Sequence, residues 1–567
     1  MGLGAALGIA GNALNVFSAG IQVTGNNLAN ASTPGYIVEN LELTPGPSYG
    51  VSPLIQGTGV EAVGVKQQVN QFLQQQLLGA TSDYNSSNQL NSVYTNLQQQ
   101  LQALGDNSLS TQFSSFASAL SNLANQPSSA ALNSQAVDAG TTLANSISSL
   151  SSSIDNQRSL DNTQVQQLVT QANSLIQNIV QLNPQITKLE SSQLLQSQAG
   201  TLRDQRYQDL NQLSQIIPIT YTENTDGSIN VYSGSNYVVL GEQSQTLRTI
   251  PSGSQGVATL NVQFGTTGGT LTANSPGTGQ LTAVLNGRDN VLGGFTQNLD
   301  TLTSNMISEF NQIYASGQGT DGYTSVTSAN TVSDPTAALN QAGLAFAPQN
   351  GSFQLQVVNQ STGLASTSTI NVNLTGSASD TTLNSLAAEI NGVANVSATV
   401  TPDGHLEIDA GSGYQVQFSN DTSNALSSLG INTFFTGNNA SSIGVNAAVI
   451  ADPNTFASGQ GNGPTDGSNA LALSQFADTP LKGLDGETLN QNYNALVTGI
   501  ANNASAETTL SQSQNDYLQS LTAQQQQTSG VSLDQQAIQL MQYQEGYQAS
   551  AKVVTTIDSM FQVLLNM

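Results

Sequence analysis

Residues 1–36 read MGLGAALGIAGNALNVFSAGIQVTGNNLANASTPGY, and this stretch decides the plan of the chain. Leu3, Ala10, Phe17 and Thr24 recur every seven residues, and so do Leu7, Leu14, Ile21 and Leu28, four places behind. Alternating steps of four and three put both sets on one seam of a helix, the pattern of a coiled coil. The run stops at Asn30-Ala31-Ser32-Thr33-Pro34-Gly35-Tyr36. There Pro34 pushes Thr33 out of the α region, and Pro-Gly favours a tight turn. No side chain before Glu39 is charged, and no Lys or Arg precedes Lys66. An apolar seam without charge is poorly suited to lying alone in water, so this helix needs a partner.

The far end of the chain offers one. Leu533, Leu540, Tyr547, Val554 and Phe561 recur every seven residues, with Ser550, Ile557 and Leu564 beside them. The candidate assembly seam is therefore Leu3, Leu7, Leu14, Phe17, Ile21 and Leu28 on the first helix, and Leu533, Leu540, Tyr547, Val554, Phe561 and Leu564 on the last. Packing inside a bundle would explain either seam alone. It explains the two together less well, because they sit at opposite ends of a long chain and face little else.

Between the ends the character changes several times. Val38 to Val65 is Gly- and Pro-rich with alternating Val, Leu and Ile, read as short strands or an extended arm. Lys66 to Ile217 is helical: Leu73, Leu77, Leu90, Val93, Leu97, Leu101 and Leu104 fit a helix broken near Gly79. Phe113, Phe116, Leu120 and Leu123 fit a shorter one, stopped before Pro127, and Leu143 through Leu182 fit a long rod. A helix from about Thr201 to Leu213 follows. Ile219–Tyr221 and Ile229–Tyr232 flank Thr225-Asp226-Gly227, a hairpin signal, and Val284 to Tyr314 returns to helix. From Ser316 to Gly437 the pattern is of an inserted β-rich domain, with alternation in Phe353–Val357 and Ile370–Leu374. From Thr488 the chain is helical almost to its end, with a break near Ser529-Gly530.

The expected fold is multidomain α+β, with the terminal helices paired as a coiled coil, a long helical-bundle domain, and β-rich projecting domains inserted in the middle. The expected divisions are 1–38 with 529–567, 39–216 with 440–528, 217–315, and 316–439.

Composition narrows the function. With no Cys among 567 residues, disulfides, thiolate chemistry and cysteine-ligated metals are excluded. A charge of −26, from 35 acidic against 9 basic residues, disfavours nucleic acid and anionic membrane as partners. The N-terminus lacks the basic stretch of a secretory signal, and its Gly and Asn interruptions argue against a membrane span.

Candidate chemical motifs are weak. Gly317, Gly319 and Gly322 spell G-x-G-x-x-G, but a helix precedes and a loop follows, whereas a dinucleotide site needs a strand and then a helix. Asp204, between Arg203 and Arg206, reads as part of a structural ion pair. The lone His405 sits at a turn. No nucleophile–base set is evident, and no catalytic residue, cofactor or metal is expected.

The stretch Asn26-Asn27-Leu28-Ala29-Asn30-Ala31-Ser32-Thr33-Pro34-Gly35-Tyr36 resembles the N-terminal signature of bacterial flagellar axial proteins, the rod, hook and hook-associated proteins. Ser529–Gln536, Tyr543–Ala551 and Val563–Met567 resemble the hook-associated members of that group, and so do Leu202–Arg206, Leu285–Asp289 and Gly430–Gly437. Gln535 and Gln536 stand where acidic residues are common in the family, and Tyr543 where Phe is.

The resemblance implies a structural subunit rather than an enzyme. Such a subunit would be exported unfolded through the flagellar type III apparatus with a chaperone. It would assemble as a ring of about eleven copies joining the hook subunit to a second junction protein and the filament. Its terminal helices, single and marginal before assembly, would order in the polymer. A hook or distal rod subunit is the alternative that the long helical region opposes. A secreted adhesin would explain the β-rich middle but not the paired seams.

Overall fold

The computed structural model describes residues 2–51, 54–103, 105, 108–191, 197–252, 259–275, 277–463 and 465–566; Met1, Leu104 and Met567, named above, lie outside this set. Helix α1 (Gly2–Ala29) leads into strands β1 (Glu39–Pro45), β2 (Ser48–Val51), β3 (Leu54–Gly57) and β4 (Val60–Gln67). Helices α2 (Gln71–Ala103), α3 (Leu109–Asn125), α4 (Ala130–Glu190) and α5 (Gly200–Ile216) follow. Then come β5 (Thr220–Glu223), β6 (Ile229–Ser233), β7 (Asn236–Leu240), β8 (Gln243–Ser244), β9 (Leu247–Ser252), β10 (Thr259–Phe264) and β11 (Thr270–Leu271). Helix α6 (Gln280–Asn286) passes through a π-helical stretch, Gly287–Leu292, into α7 (Gly293–Ala315). The inserted region holds β12 (Ser325–Thr327), β13 (Gly351–Asn359), β14 (Ala365–Val372), α8 (Leu383–Asn391), β15 (Val396–Val400), β16 (Leu406–Ala410) and β17 (Tyr414–Ser419). The region closes with α9 (Ala425–Leu429) and β18 (Phe435–Thr436), and β19 (Gly444–Val445), α10 (Ala447–Ala451) and α11 (Ser468–Gln475) follow. Two long helices close the chain, α12 (Leu489–Ser529) and α13 (Leu533–Leu565).

The chain divides into two compact units. The first comprises Met1–Val93, Ser159–Asp289 and Ser505–Met567. Within it β1 pairs with β4 antiparallel, and β5-β6-β7-β8 and β11-β10-β9 form two further sheets. Its core joins Val165, Ile176 and Ile179 of α4, Leu210 and Leu213 of α5, Val231, Val238 and Phe264 of the sheets, and Leu281 and Leu285 of α6. Burial of each of these large apolar side chains contributes roughly 1.5–3 kcal/mol.

The second unit comprises Tyr94–Arg158 and Asn290–Ala504. Two antiparallel sheets, β12-β16-β15 and β14-β13-β17, enclose a core of Phe353, Leu355, Val357, Ile370, Val416, Phe418, Leu386 and Ile390. The alternation read in the sequence appears directly: Phe353, Leu355 and Val357 of β13 point inward while the residues between them are half-buried. Helix α8 starts with a reciprocal cap, the Thr382 hydroxyl accepting from Ser385 N and the Ser385 hydroxyl from Thr382 N.

One sequence expectation fails here. Gly79 does not break its helix, because α2 runs unbroken from Gln71 to Ala103. A glycine costs a helix interior only about 1 kcal/mol relative to Ala, and Leu77, Leu78 and Ala80 on either side are all buried.

The paired chain ends as a candidate assembly surface

Helices α1 and α13 pack against each other in opposite directions. Asn27, near the end of α1, meets Gln536 at the start of α13. About two and about three turns back, Gly20 faces Tyr543 and Phe17 faces Gly546. A Cβ on Gly20 would stand 2.8 Å from the Tyr543 ring, and one on Gly546 2.6 Å from the Phe17 ring. Each aromatic ring lies over the other helix's glycine, and the ring centroids are 6.4 Å apart. This reciprocal fit fixes the register.

Asn27 is 1 % exposed and uses its whole side-chain amide. Its Nδ2 donates to Gln536 Oε1 at 3.0 Å and to Glu39 O at 2.8 Å. Its Oδ1 accepts from Tyr36 OH at 2.8 Å and from Glu39 N at 3.0 Å. One amide thus ties α1 to the turn, to β1 and to α13. The turn itself needs Gly35 at a φ of +79°, a left-handed conformation costly for other residues. Pro34 O accepts from Gln208 Nε2, and Val38 N donates to Ser529 O at 2.9 Å.

The structure places the seam residues unevenly. Leu3, Leu14, Phe17, Ile21, Leu540 and Val554 are half-buried. Leu7, Leu28, Leu533, Tyr547, Phe561 and Leu564 are exposed. The buried line consists of Ala10, Val16, Gly20, Thr24 and Asn27 on α1 and of Gln536 and Ile557 on α13. Of the signature residues, Asn27 is buried and Asn30 and Tyr36 are half-buried, while Leu28, Ala29, Thr33, Pro34 and Gly35 are exposed. Ile9, Ile538, Met541, Val553, Met560, Val563 and Leu565 add to the apolar surface of the pair. Exposed apolar side chains concentrated on two paired helices mark a candidate interaction surface. Despite its Gly and Asn interruptions, α1 also has the length and hydropathy of a membrane-crossing helix, although here it lies along α13.

At the root of the pair three acidic groups converge. Asp204 Oδ1 accepts from Gln67 Nε2 at 2.7 Å. Burial, with a smaller push from the Glu39 charge, raises the Asp204 carboxyl to about 7 against the pull of its hydrogen bonds to Gln67 and Ile37. Burial also raises Glu39, opposed by a hydrogen bond from Asn26. Tyr36 is pushed well up by burial and by both carboxylates. Asp204 is therefore not the partner of its arginine neighbours. Arg203 instead binds Glu190 and Glu223, and Arg206 donates to Asn183 Oδ1 at 3.1 Å and Gly227 O at 2.7 Å. Positions one and two apart on a helix face different ways, so adjacency in sequence misleads here.

The other family-like stretches are packing devices. Arg288, fully buried in the π-helical stretch, binds Asp289, Asn162 Oδ1 and Leu260 O. Phe434 and Phe435 enter an aromatic cluster with Phe116 and Phe310, and Asn311 Oδ1 accepts from both of their backbone N–H groups. Gly319 and Gly322 are glycines because other backbone crowds them: their Cβ positions would meet Asn454 O at 2.5 Å and Val416 O at 2.8 Å. His405 sets Nδ1 2.7 Å from Ser328 O beside its turn. Among the described residues no cluster of His, Asp or Glu is arranged to hold a metal.

Comparison with known proteins agrees with this geometry at both ends and between them. Residues 7–36 match the family of flagella basal body rod proteins, and 524–567 match the flagellar basal body rod FlgEFG protein C-terminal family. Both paired helices thus carry the marks of the flagellar axial class. Residues 94–330 match the helical domain of flagellar hook-associated protein FlgK. Flagellar hook-associated protein 1 of Salmonella typhimurium is 26% identical over 572 residues, covering 98% of each chain. That of Escherichia coli K12 is 24% identical over 568 residues, again covering 98% of each. From end to end, therefore, the chain is similar to flagellar hook-associated protein 1. In fold it is similar to the flagellar hook junction protein FlgK from Burkholderia pseudomallei, with a TM-score of 0.54 at 16% identity, covering 81% of this chain and 100% of that one.

Proposed function

We propose that this chain is a structural subunit of the bacterial flagellum, placed at the junction between hook and filament and self-assembling through its paired terminal helices. The observation that carries the assembly surface is the apolar outer face of that pair, from Leu7 and Leu28 on α1 to Tyr547, Phe561 and Leu564 on α13. A second copy of the chain covers it, as α1 and α13 of one subunit lie against those of the next. Its FlgK-type helical domain, together with hook-associated relatives matched end to end, favours this reading over a hook or rod subunit or an adhesin.

The energetics suit assembly at a growing tip. The line between α1 and α13 buries small and polar residues, and Val16 and Ile557 are its larger apolar members. Ordering backbone costs roughly 1–2 kcal/mol per residue, so the pair in a single chain is weakly held. Burying the outer Leu and Phe side chains against a neighbour contributes roughly 1.5–3 kcal/mol each. Pairing and polymerisation therefore reinforce each other.

In this reading residues 1–38 with 529–567 are the polymerising domain, 39–216 with 440–528 the helical rod, and 217–315 and 316–439 the β-rich remainder. The protein acts outside the cell, without enzymatic activity, in a ring of about eleven copies. Its neighbours are the hook subunit, a second junction protein and the filament, and a chaperone accompanies its export. A strain lacking the gene should carry bare hooks and lose filament protein to the medium. Filaments of normal length on its hooks would exclude the junction role.

A further inference from the structure

The root of the helix pair brings together Tyr36 from the turn, Glu39 from the start of β1 and Asp204 from α5, and among the described residues no cation there is free to balance them. Glu39 Oε1 packs onto Gly200, at the first turn of α5, so closely that a Cβ there would collide with it. Asp204, one turn further along α5, is 7 % exposed. The end of α12 brings the uncharged Thr522, Gln525, Gln526 and Ser529 to Tyr36, and Ser197 and Gln198, also uncharged, bond to β4. Helix α1 contributes Asn26 and Asn27 and carries no charge. Strand β4 contributes Gln67 and Lys66, the latter held by Glu42 of β1 at 2.8 Å. On α5, Arg203 is held by Glu190 and Glu223, Arg206 by Asn183 and Gly227, and Tyr207 faces Tyr221. The first turn of α13 brings Gln536, bonded to Asn27, and the exposed Asp534.

We infer that Tyr36, Glu39 and Asp204 form a proton-controlled brace that holds the turn and β1 against α5, tight when a carboxyl is protonated and loose when both are ionised. Asp204 is buried and Glu39 half-buried, so their carboxylates repel through poorly screened surroundings, and removing one charge relieves both repulsion and desolvation. The brace sits where the terminal pair is rooted, because Glu39 N and O are both bonded to Asn27. Loosening it loosens the hub that joins α1 to α13. The inference does not rest on the junction role.

The sign follows from linkage. Asp204 titrates near 7 in the folded chain, above its unfolded value. Its protonated form stabilises the fold fully below the unfolded value, and that contribution is lost as pH rises through about 7. Between about pH 8 and about pH 6 the closed form should gain roughly tenfold in population over the open one.

The test is hydrogen exchange on the full soluble chain, expressed as protection relative to intrinsic exchange at each pH. Protection of residues 27–39 should rise roughly tenfold from about pH 8 to about pH 6 in the natural chain. It should be nearly flat in Asp204→Asn, with α8 unchanged in both. Equal slopes in the two proteins overturn the brace. Should Asp204→Asn fail to fold, infrared difference spectra of the natural chain between the same two pH values decide. A protonated carboxyl stretch present at the lower and absent at the higher supports the brace, and no such band overturns it.

Discussion

Asn27 donates to Gln536 Oε1 at 3.0 Å, a buried bond between residues 509 positions apart. The same side chain holds Tyr36 OH and both backbone groups of Glu39, so the signature at the end of α1 and the start of α13 form one structural joint. Asn27→Ala would leave these buried groups unpaired, at about 1–3 kcal/mol. Hydrogen exchange of residues 27–39 and 533–540 should accelerate by about tenfold to a hundredfold, while α8 keeps its protection. Unchanged exchange at both segments would contradict the hub.

Glycines on α1 should differ sharply. Gly20→Val would drive its side chain into the Tyr543 ring and force the helices apart, whereas Gly25 has open space beyond its Cα. In the soluble chain Gly25→Ala should stabilise α1 by about 0.5–1 kcal/mol, and Gly20→Val should release the pair. Exchange rates along α13 measure this, with Gly20→Val speeding them and Gly25→Ala slowing them.

Much of the fold was legible, and the parts that were not share a cause. Long helices and hairpins follow from apolar periodicity and turn residues, as β13 and the Thr225–Gly227 hairpin illustrate. The heptads of Leu and Ile brought α1 and α13 together on paper, but the line between them runs through Ala10, Gly20, Thr24 and Asn27. Periodicity weighs large apolar residues, whereas close helix approach selects small ones, and no hydropathy pattern marks a glycine beneath an aromatic ring. The two compact units were equally hidden, because their boundaries fall inside α2, α4, α12 and the π-helical stretch rather than in Gly- or Pro-rich linkers. The acids at the root come from separated segments, and only the tertiary fold gathers them.

Arg206 tests the first unit. It is fully buried, and its Nη1 holds Asn183 Oδ1 and Gly227 O beside the Arg203–Glu190–Glu223 network. Arg206→Ala removes these bonds and leaves a hole, an expected loss of about 3–5 kcal/mol by urea unfolding. A change below about 1 kcal/mol would show the arginine to be replaceable packing.

Phe434 tests the second unit. It stacks on Phe116 at a centroid distance of 5.6 Å and meets Phe456 edge-on at 5.4 Å. Phe434→Ala should cost about 3–5 kcal/mol, seen as a lower melting temperature in calorimetry, while exchange in residues 27–39 of the first unit stays unchanged.

In the proposed assembly another copy of the chain covers the outer face of the terminal pair. Phe561→Asp places a charge on that face without touching the buried line of Gly20, Asn27 and Gln536. Burying an unpaired charge is prohibitive in an interface and harmless on a wet surface. The deciding measurement is electron microscopy of hook tips from cells making Phe561→Asp, with calorimetry of the purified variant. Bare hooks, the variant chain released to the medium, and natural melting are the expected result. Filaments on normal junctions, or melting lowered as far as by Phe434→Ala, would contradict it.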